Sequence, residues 1–142
     1  ILDRLHFFSK PGFLLKRKIR KFAEESIGSF SIKATPGQPI GTLSGGNMQK
    51  VLLARLFGER PIAAVVSQPT RGLDVISTKY VRQLLLQERN EGVGILLVSE
   101  DLDELIELSD RILVIFKGRF LGELSRAEFS RERIGQLMAG LV

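Results

Sequence analysis

Residues 43–50 read Leu-Ser-Gly-Gly-Asn-Met-Gln-Lys, and residues 65–74 read Val-Val-Ser-Gln-Pro-Thr-Arg-Gly-Leu-Asp. The first stretch sets a serine and two glycines at the mouth of an apolar-periodic helix. Ser44 is placed to be its N-cap, and the helix is expected to run to Phe57 with Met48, Val51, Leu52 and Leu56 on one face. Such a mouth presents unpaired backbone N–H groups and the positive end of the helix dipole, which suits a phosphate. Gly45 and Gly46 put no Cβ in the way of a close approach, and Ser44 adds a hydroxyl donor. Ser-Gly-Gly by itself is equally an ordinary capped helix. The second stretch is a continuous apolar strand, Ile62 to Val66, running into a polar turn. An unbroken apolar run of that kind is expected where both faces of a sheet are covered.

Outward from these two stretches, strands and helices alternate. A basic amphipathic helix is expected over Leu14 to about Ile27, followed by a Pro/Gly-punctuated loop from Thr35 to Gly41. Beyond the polar turn, Ser77 to Asn90 reads as a helix with Tyr80, Val81, Leu84, Leu85 and Glu88 along one stripe, and Gly92 ends it. Ile95 to Val98 is a second buried strand, so the stretch from 61 to 98 is a βαβ unit with parallel strands. Asp101 to Leu108 is a short helix with acids in its first turn, where the dipole favours them. Arg111–Phe116 and Arg119–Leu124, joined by Lys117-Gly118, read as a hairpin. Ser125-Arg126-Ala127-Glu128 reads as a capping box opening a helical tail that ends near Met138.

Composition bounds the function. The 142 residues are one domain's worth of chain, and a first residue of Ile rather than Met suggests a piece of something longer. With no cysteine there is neither a disulfide nor a thiolate metal site, and the apolar runs are too short for a membrane span or signal peptide. The net charge of +5 comes largely from Lys10, Lys16, Arg17, Lys18, Arg20 and Lys21. That cluster gives way to Glu24 and Glu25 on the same helix, without aromatic interleaving or a nucleic-acid motif. A solvated helix face accounts for it, and no nucleic-acid partner is expected.

In this order and at this separation, the two stretches resemble the signature motif and the Walker B strand with its D-loop in the nucleotide-binding subunit of an ATP-binding-cassette (ABC) transporter. Asn47, at a position often Gln in the family, and the tail Ile134–Gly140 are similar to the sugar and nucleoside importers. The resemblance implies an α/β fold, the C-terminal part of a P-loop NTPase cassette: residues 1–57 end a helical subdomain carrying the signature, and 58–142 form the second half of the ATPase core. It implies ATP and magnesium as cofactors, and as partners a second cassette, transmembrane permease subunits and, indirectly, a solute-binding protein. The expected place is the cytoplasmic face of the membrane, reached through the permease. Ser44, Gly45, Gly46 and Asn47 would face ATP held by the partner cassette, and Asp74 would be the D-loop aspartate.

Departures from the family pattern are as informative. No Gly-Lys dipeptide of a P-loop occurs in the chain. Ser67 stands at the Walker B aspartate position, Gln68 at the catalytic glutamate position and Glu100 at the switch histidine position. An amide cannot act as a general base toward water. The resemblance therefore implies a degenerate second cassette that lends its signature to a partner site and has no intact catalytic set of its own. Two alternatives stand beside it: a non-catalytic regulatory or permease-docking module, and the tail of a DNA-repair-type ATPase. Against the second, such proteins carry long heptad arms around this helix, and no heptad run occurs in this chain. The lone histidine, His6, reads as a surface residue. In the family the P-loop strand lies beyond the second βαβ strand, so that strand is expected to present an apolar edge here.

Overall fold

The computed structural model describes residues 5–11 and 13–141, and the chain divides into two compact units. One gathers the described residues up to Pro61 together with Gly72–Ser77; the other holds Ile62–Arg71 and the chain from Thr78 onward.

In the first unit, a single helical turn, α1 (Leu5–Phe8), leads into a two-residue antiparallel pair, β1 (Ser9–Lys10) and β2 (Phe13–Leu14). Helix α2 follows over Lys16–Ser29. Its half-buried row, Ile19, Phe22, Ala23 and Ile27, recurs at spacings of three and four, and Phe22 meets the buried Phe8 ring at 5.2 Å between centroids. The basic residues lie on the exposed side, where Arg20 pairs with Glu24 and Lys21 with Glu25 one turn on. His6 is exposed, as its sequence context suggests. A 3-10 turn at Ile40–Thr42 precedes α3 (Gly45–Phe57). The buried residues of α3 are Gly46, Leu53, Ala54 and Phe57, while Leu52 is half exposed. The buried stripe is thus rotated from the expected Met48–Val51–Leu52–Leu56 face: small residues at 46 and 54 let the helix approach its surroundings closely, which side-chain hydrophobicity does not reveal.

The second unit is built on a parallel strand pair. β3 (Ala63–Ser67) and β4 (Gly94–Val98) run in register from Ala63 opposite Gly94 to Ser67 opposite Val98. They are joined through α4 (Val75–Asn90), whose buried residues Val81, Leu84, Leu85 and Glu88 lie on the expected stripe. Gly92, at φ 97°, makes the left-handed turn that returns the chain to β4. Within this chain β3 is covered on one face: Ala64 and Val66 are buried, whereas Val65 is 67% exposed and Leu96 on β4 is 58% exposed.

Beyond β4, α5 (Leu102–Leu108) packs against a hairpin of β5 (Arg111–Phe116) and β6 (Arg119–Ser125). Lys117 and Gly118 both have positive φ, the turn that matches strand twist. The register shifts at Val114/Ile115, so Leu121 is an extra residue on β6. α6 (Arg131–Met138) closes the unit by burying Ile134 and Leu137 against Ile112, Val114 and Leu124. The Ser125–Glu128 capping box is present, but it closes a 3-10 turn at Arg126–Glu128; α6 starts afresh under its own cap, Ser130. Among the described residues, β3–β4 and β5–β6 are separate two-stranded sheets, and no helix is long and apolar enough to cross a membrane.

Candidate functional site

The structure brings the singled-out residues together in two groups, one in each unit. In the first unit, Ser44 caps α3. Its Oγ accepts the Asn47 backbone N–H at 3.4 Å and the Asn47 side-chain amide at 2.9 Å. The Asn47 carbonyl oxygen in turn accepts the Lys33 N–H at 2.8 Å, and Lys50 reaches the Ser31 carbonyl at 2.9 Å. The first turn of the helix is therefore tied to the 31–33 loop, and Asn47 spends its amide on that tie. Ser44 and Gly45 remain exposed. The N–H groups of Gly45 and Gly46 lie ahead of the intrahelical ladder, the arrangement that receives an anion.

The two glycines differ. A Cβ on Gly45 would sit 3.8 Å from Leu73, an ordinary contact. A Cβ on Gly46 would meet the Ser77 Oγ at 2.2 Å and its Cβ at 2.9 Å. Ser77 is itself fixed, donating its backbone N–H and its hydroxyl to the two carboxylate oxygens of Asp74 at 2.9 and 2.8 Å. These bonds from Ser77, backbone first and then side chain, hold the Asp74 carboxyl below the usual carboxylate range. Asp74 also stands at the start of α4, where the helix dipole favours its charge. Gly46 is thus a close-packing residue against Ser77, and Gly45 the open one. The sequence reading takes Ser77 only as a helix start and not as the partner of Asp74; a serine three residues after an aspartate at a helix start was the available signal.

In the second unit the chain leaves β3 and β4 side by side. Ser67 is exposed at the end of β3. Gln68 follows in the left-handed region at φ 49°, donating its N–H to the Val98 carbonyl at 2.8 Å and accepting the Arg71 N–H at 3.2 Å. Pro69 is fully buried, and Thr70 donates its hydroxyl to Glu104 Oε1 at 2.8 Å. Glu100 is exposed just beyond β4, and Asp101 next to it caps α5, accepting the N–H groups of Asp103 and Glu104 at 2.9 and 3.2 Å. Arg82 on α4 clasps α5 from Asp101 (3.0 Å) to Glu107 (2.7 Å). Ser67, Gln68 and Glu100 therefore share the C-terminal mouth of the parallel pair, where open α/β sheets bind ligands. The Thr70–Glu104 bond and the Arg82 clasp were not legible in advance, because nothing in the spacing marks Glu104 as the fully buried acid of α5.

These side chains do not make a magnesium site. Ser67 offers a neutral hydroxyl where a hard cation wants a carboxylate, and no group of three His, Asp or Glu able to hold a metal occurs among the described residues. The start of α3, with its exposed Ser44 and Gly45, does fit a phosphate.

No protein-family model matches the chain. Curated relatives do. The glucose import ATP-binding protein of Haloferax volcanii is 43% identical over 126 residues, covering 87% of this chain and 23% of the relative. The ribose import ATP-binding protein of Streptococcus agalactiae is 42% identical over 94% of this chain and 27% of its own length. The nucleoside import ATP-binding protein of Lactococcus lactis is 41% identical over 93% and 26%. The chain spans about a quarter of the length of these relatives. Among solved structures, a dimeric ATP-binding cassette in a post-hydrolysis state with ADP and phosphate superposes with a TM-score of 0.68 at 24% identity, over 87% of this chain and 53% of that one. A nucleotide-free cassette from an ABC transporter gives 0.69 at 21% identity, over 97% and 52%. The chain has the fold of about half an ATP-binding cassette, and its sequence is similar over nearly all its length to the ATP-binding proteins of sugar and nucleoside importers.

Proposed function

We infer that this chain, having the fold of the C-terminal part of an ATP-binding cassette, serves in the nucleotide-binding component of an importer of a sugar or nucleoside-like solute. It presents the start of α3 to a nucleotide held by a second cassette, while the mouth of its own β3–β4 pair is hydrolytically poor. The observation that carries this reading is the contrast between the two groups of residues. Ser44 and Gly45 stand exposed at a helix N-terminus, whereas Ser67 and Gln68, at the C-terminal end of β3, bring neither a carboxylate for a metal nor a general base.

Bound ATP supplies a γ-phosphoryl group for transfer to water, a reaction governed by positioning and by charge neutralisation. Toward that group this chain offers the Gly45 and Gly46 N–H groups, the α3 dipole and the Ser44 hydroxyl, whose oxygen accepts from Asn47 and whose O–H is a donor. Asp74, held ionised by Ser77, fixes the start of α4 beside Gly46. Gln68 cannot remove a proton from water, so no hydrolytic step is assigned to the β3–β4 mouth. Permease subunits and, indirectly, a solute-binding protein complete the assembly, which places the chain on the cytoplasmic face of a membrane. A non-catalytic docking role is the competing reading.

Steady-state ATPase of the assembled transporter, at matched expression, tests the assignment. Gly45→Asp adds a charge at an open position that tolerates a Cβ, and should abolish most turnover by obstructing and repelling a phosphate. Gln68→Ala should stay within a few-fold of the parent. If Gln68→Ala is the more damaging, this cassette's own site is the active one. If neither variant changes turnover, the docking reading holds.

A further inference from the structure

We propose that Glu104 is a positioning residue: through Thr70, its buried carboxylate holds Gln68 in the left-handed conformation at the end of β3. The positioning does not depend on the function proposed above; any effect of this turn on nucleotide held at the β3–β4 mouth rests on that function.

A glutamine has no intrinsic reason to adopt φ 49°, since its Cβ then crowds the following carbonyl. Such a conformation persists where the surroundings over-determine it. Here the turn is held from three directions. The Gln68 N–H is committed to the Val98 carbonyl of the neighbouring strand, and the Gln68 carbonyl to the Arg71 N–H. The third hold comes from outside the strand pair, where Thr70, two residues on, donates its hydroxyl to Glu104 at 2.8 Å. With Pro69 fully buried between them, a displacement at Thr70 is passed directly to Gln68.

Glu104 is well placed for such a role and ill suited to a merely stabilising one. Its side chain is 0% exposed, and Oε2 is buried without a hydrogen-bond partner. A carboxyl group in that state costs desolvation that an apolar residue of similar size would avoid. Nor is its support free to drift. Arg82 clasps α5 one turn before Glu104, at Asp101, and one turn after it, at Glu107, and the Glu104 N–H is capped by Asp101. α5 is in effect a rigid post. It takes hold of the turn after β3 through Glu104, and the segment after β4, with Glu100, runs straight into its cap at Asp101.

The test uses the full-length protein that carries this chain and reads amide hydrogen exchange at Gln68 and Arg71. Thr70→Val and Glu104→Leu remove the bond; Thr70→Ser and Glu104→Gln keep a donor and an acceptor for it. Exchange at these two amides should rise at least ten-fold in the first pair and stay within two-fold of the parent in the second, with the amides of Val66 and Leu97 unchanged. Should Glu104→Leu fail to fold, Thr70→Val carries the comparison. Unaltered protection in Thr70→Val overturns the proposal. Failure of Thr70→Ser to keep protection also overturns it, since packing rather than the hydroxyl would then hold the turn. A second measurement, retention of labelled ATP by the assembled transporter, separates the two levels: faster exchange in Thr70→Val with unaltered retention leaves Glu104 as the positioning residue and counts against nucleotide handling at this mouth.

Discussion

Gly45 and Gly46 look alike as sequence and do different work in space. Gly46 faces Ser77 with no room for a methyl group: turning the Ser77 hydroxyl aside surrenders its bond to Asp74, and moving the Ser77 Cβ shifts the backbone whose N–H is bonded to the same carboxylate. Gly46→Ala should therefore destabilise the protein by about 1–3 kcal/mol, as overpacking does. Gly45→Ala should cost little; comparing the two in urea denaturation checks the distinction. Asp74 adds a pH dependence. Its carboxyl titrates lower in the folded chain than in the unfolded one, because Ser77 donates to the charged form. The stability it contributes is thus complete above its unfolded value of about 3.8 and is lost as pH falls through the lower folded value. Glu128, held down by Ser125, acts in the same sense. Asp74→Asn should be less stable than the parent near neutrality and should converge with it in acid, read from denaturation midpoints across that range.

At the scale of elements, the β5–β6 hairpin and α6 show how local signals and packing divide the task. Lys117-Gly118 and the Ser125–Glu128 box act locally, and both are visible in the chain. The packing they lead to is less visible. Leu137 is 1% exposed and lies so close to Gly122 that a Cβ there would meet its Cδ1 at 2.8 Å. A large residue on α6 thus fits into the gap left by a glycine beside the bulge in β6. Leu137→Ala should cost about 2–5 kcal/mol, since the surrounding Ile112, Val114, Leu124 and Ile134 cannot collapse fully into the space. Ile115→Ala on the opposite face, where Ile115 is 61% exposed, should stay within about 0.5 kcal/mol, and thermal melts of both variants decide.

On the molecular scale, the notable feature is an apolar sheet face open to water. Val65, Leu96 and Val98 are each about half exposed or more, as are Ile115 and Phe120 on the second sheet, and β4 pairs only with β3 among the described residues. An edge and face of that character invite association. The isolated chain is expected to self-associate, and Val65→Lys with Leu96→Lys should shift it toward monomer without loss of helical circular dichroism; sedimentation velocity reads the change. The isolated chain should also bind ATP no better than about millimolar, because one helix N-terminus is only part of a phosphate cradle. Micromolar affinity by calorimetry would contradict this.

Much of this protein was determined by sequence alone, for reasons of local physics. Alternating apolar periods set the order of strands and helices, Ser44 and Asp101 mark their helix starts, and the ordered pair at 43–50 and 65–74 points to the cassette fold that the relatives bear out. That Ser67 and Gln68 bring no carboxylate is likewise plain in one dimension, because it concerns chemical identity. Tertiary structure alone decided which glycine is open and which is packed, which face of α3 is buried, and that Glu104 is the buried acid on α5. Each of these depends on what lies within a few ångströms across long gaps in sequence: Ser77 beside Gly46, and Thr70 beside Glu104. Periodicity reports how a residue is oriented on its own element, whereas close packing and long-range hydrogen bonds depend on the element it meets.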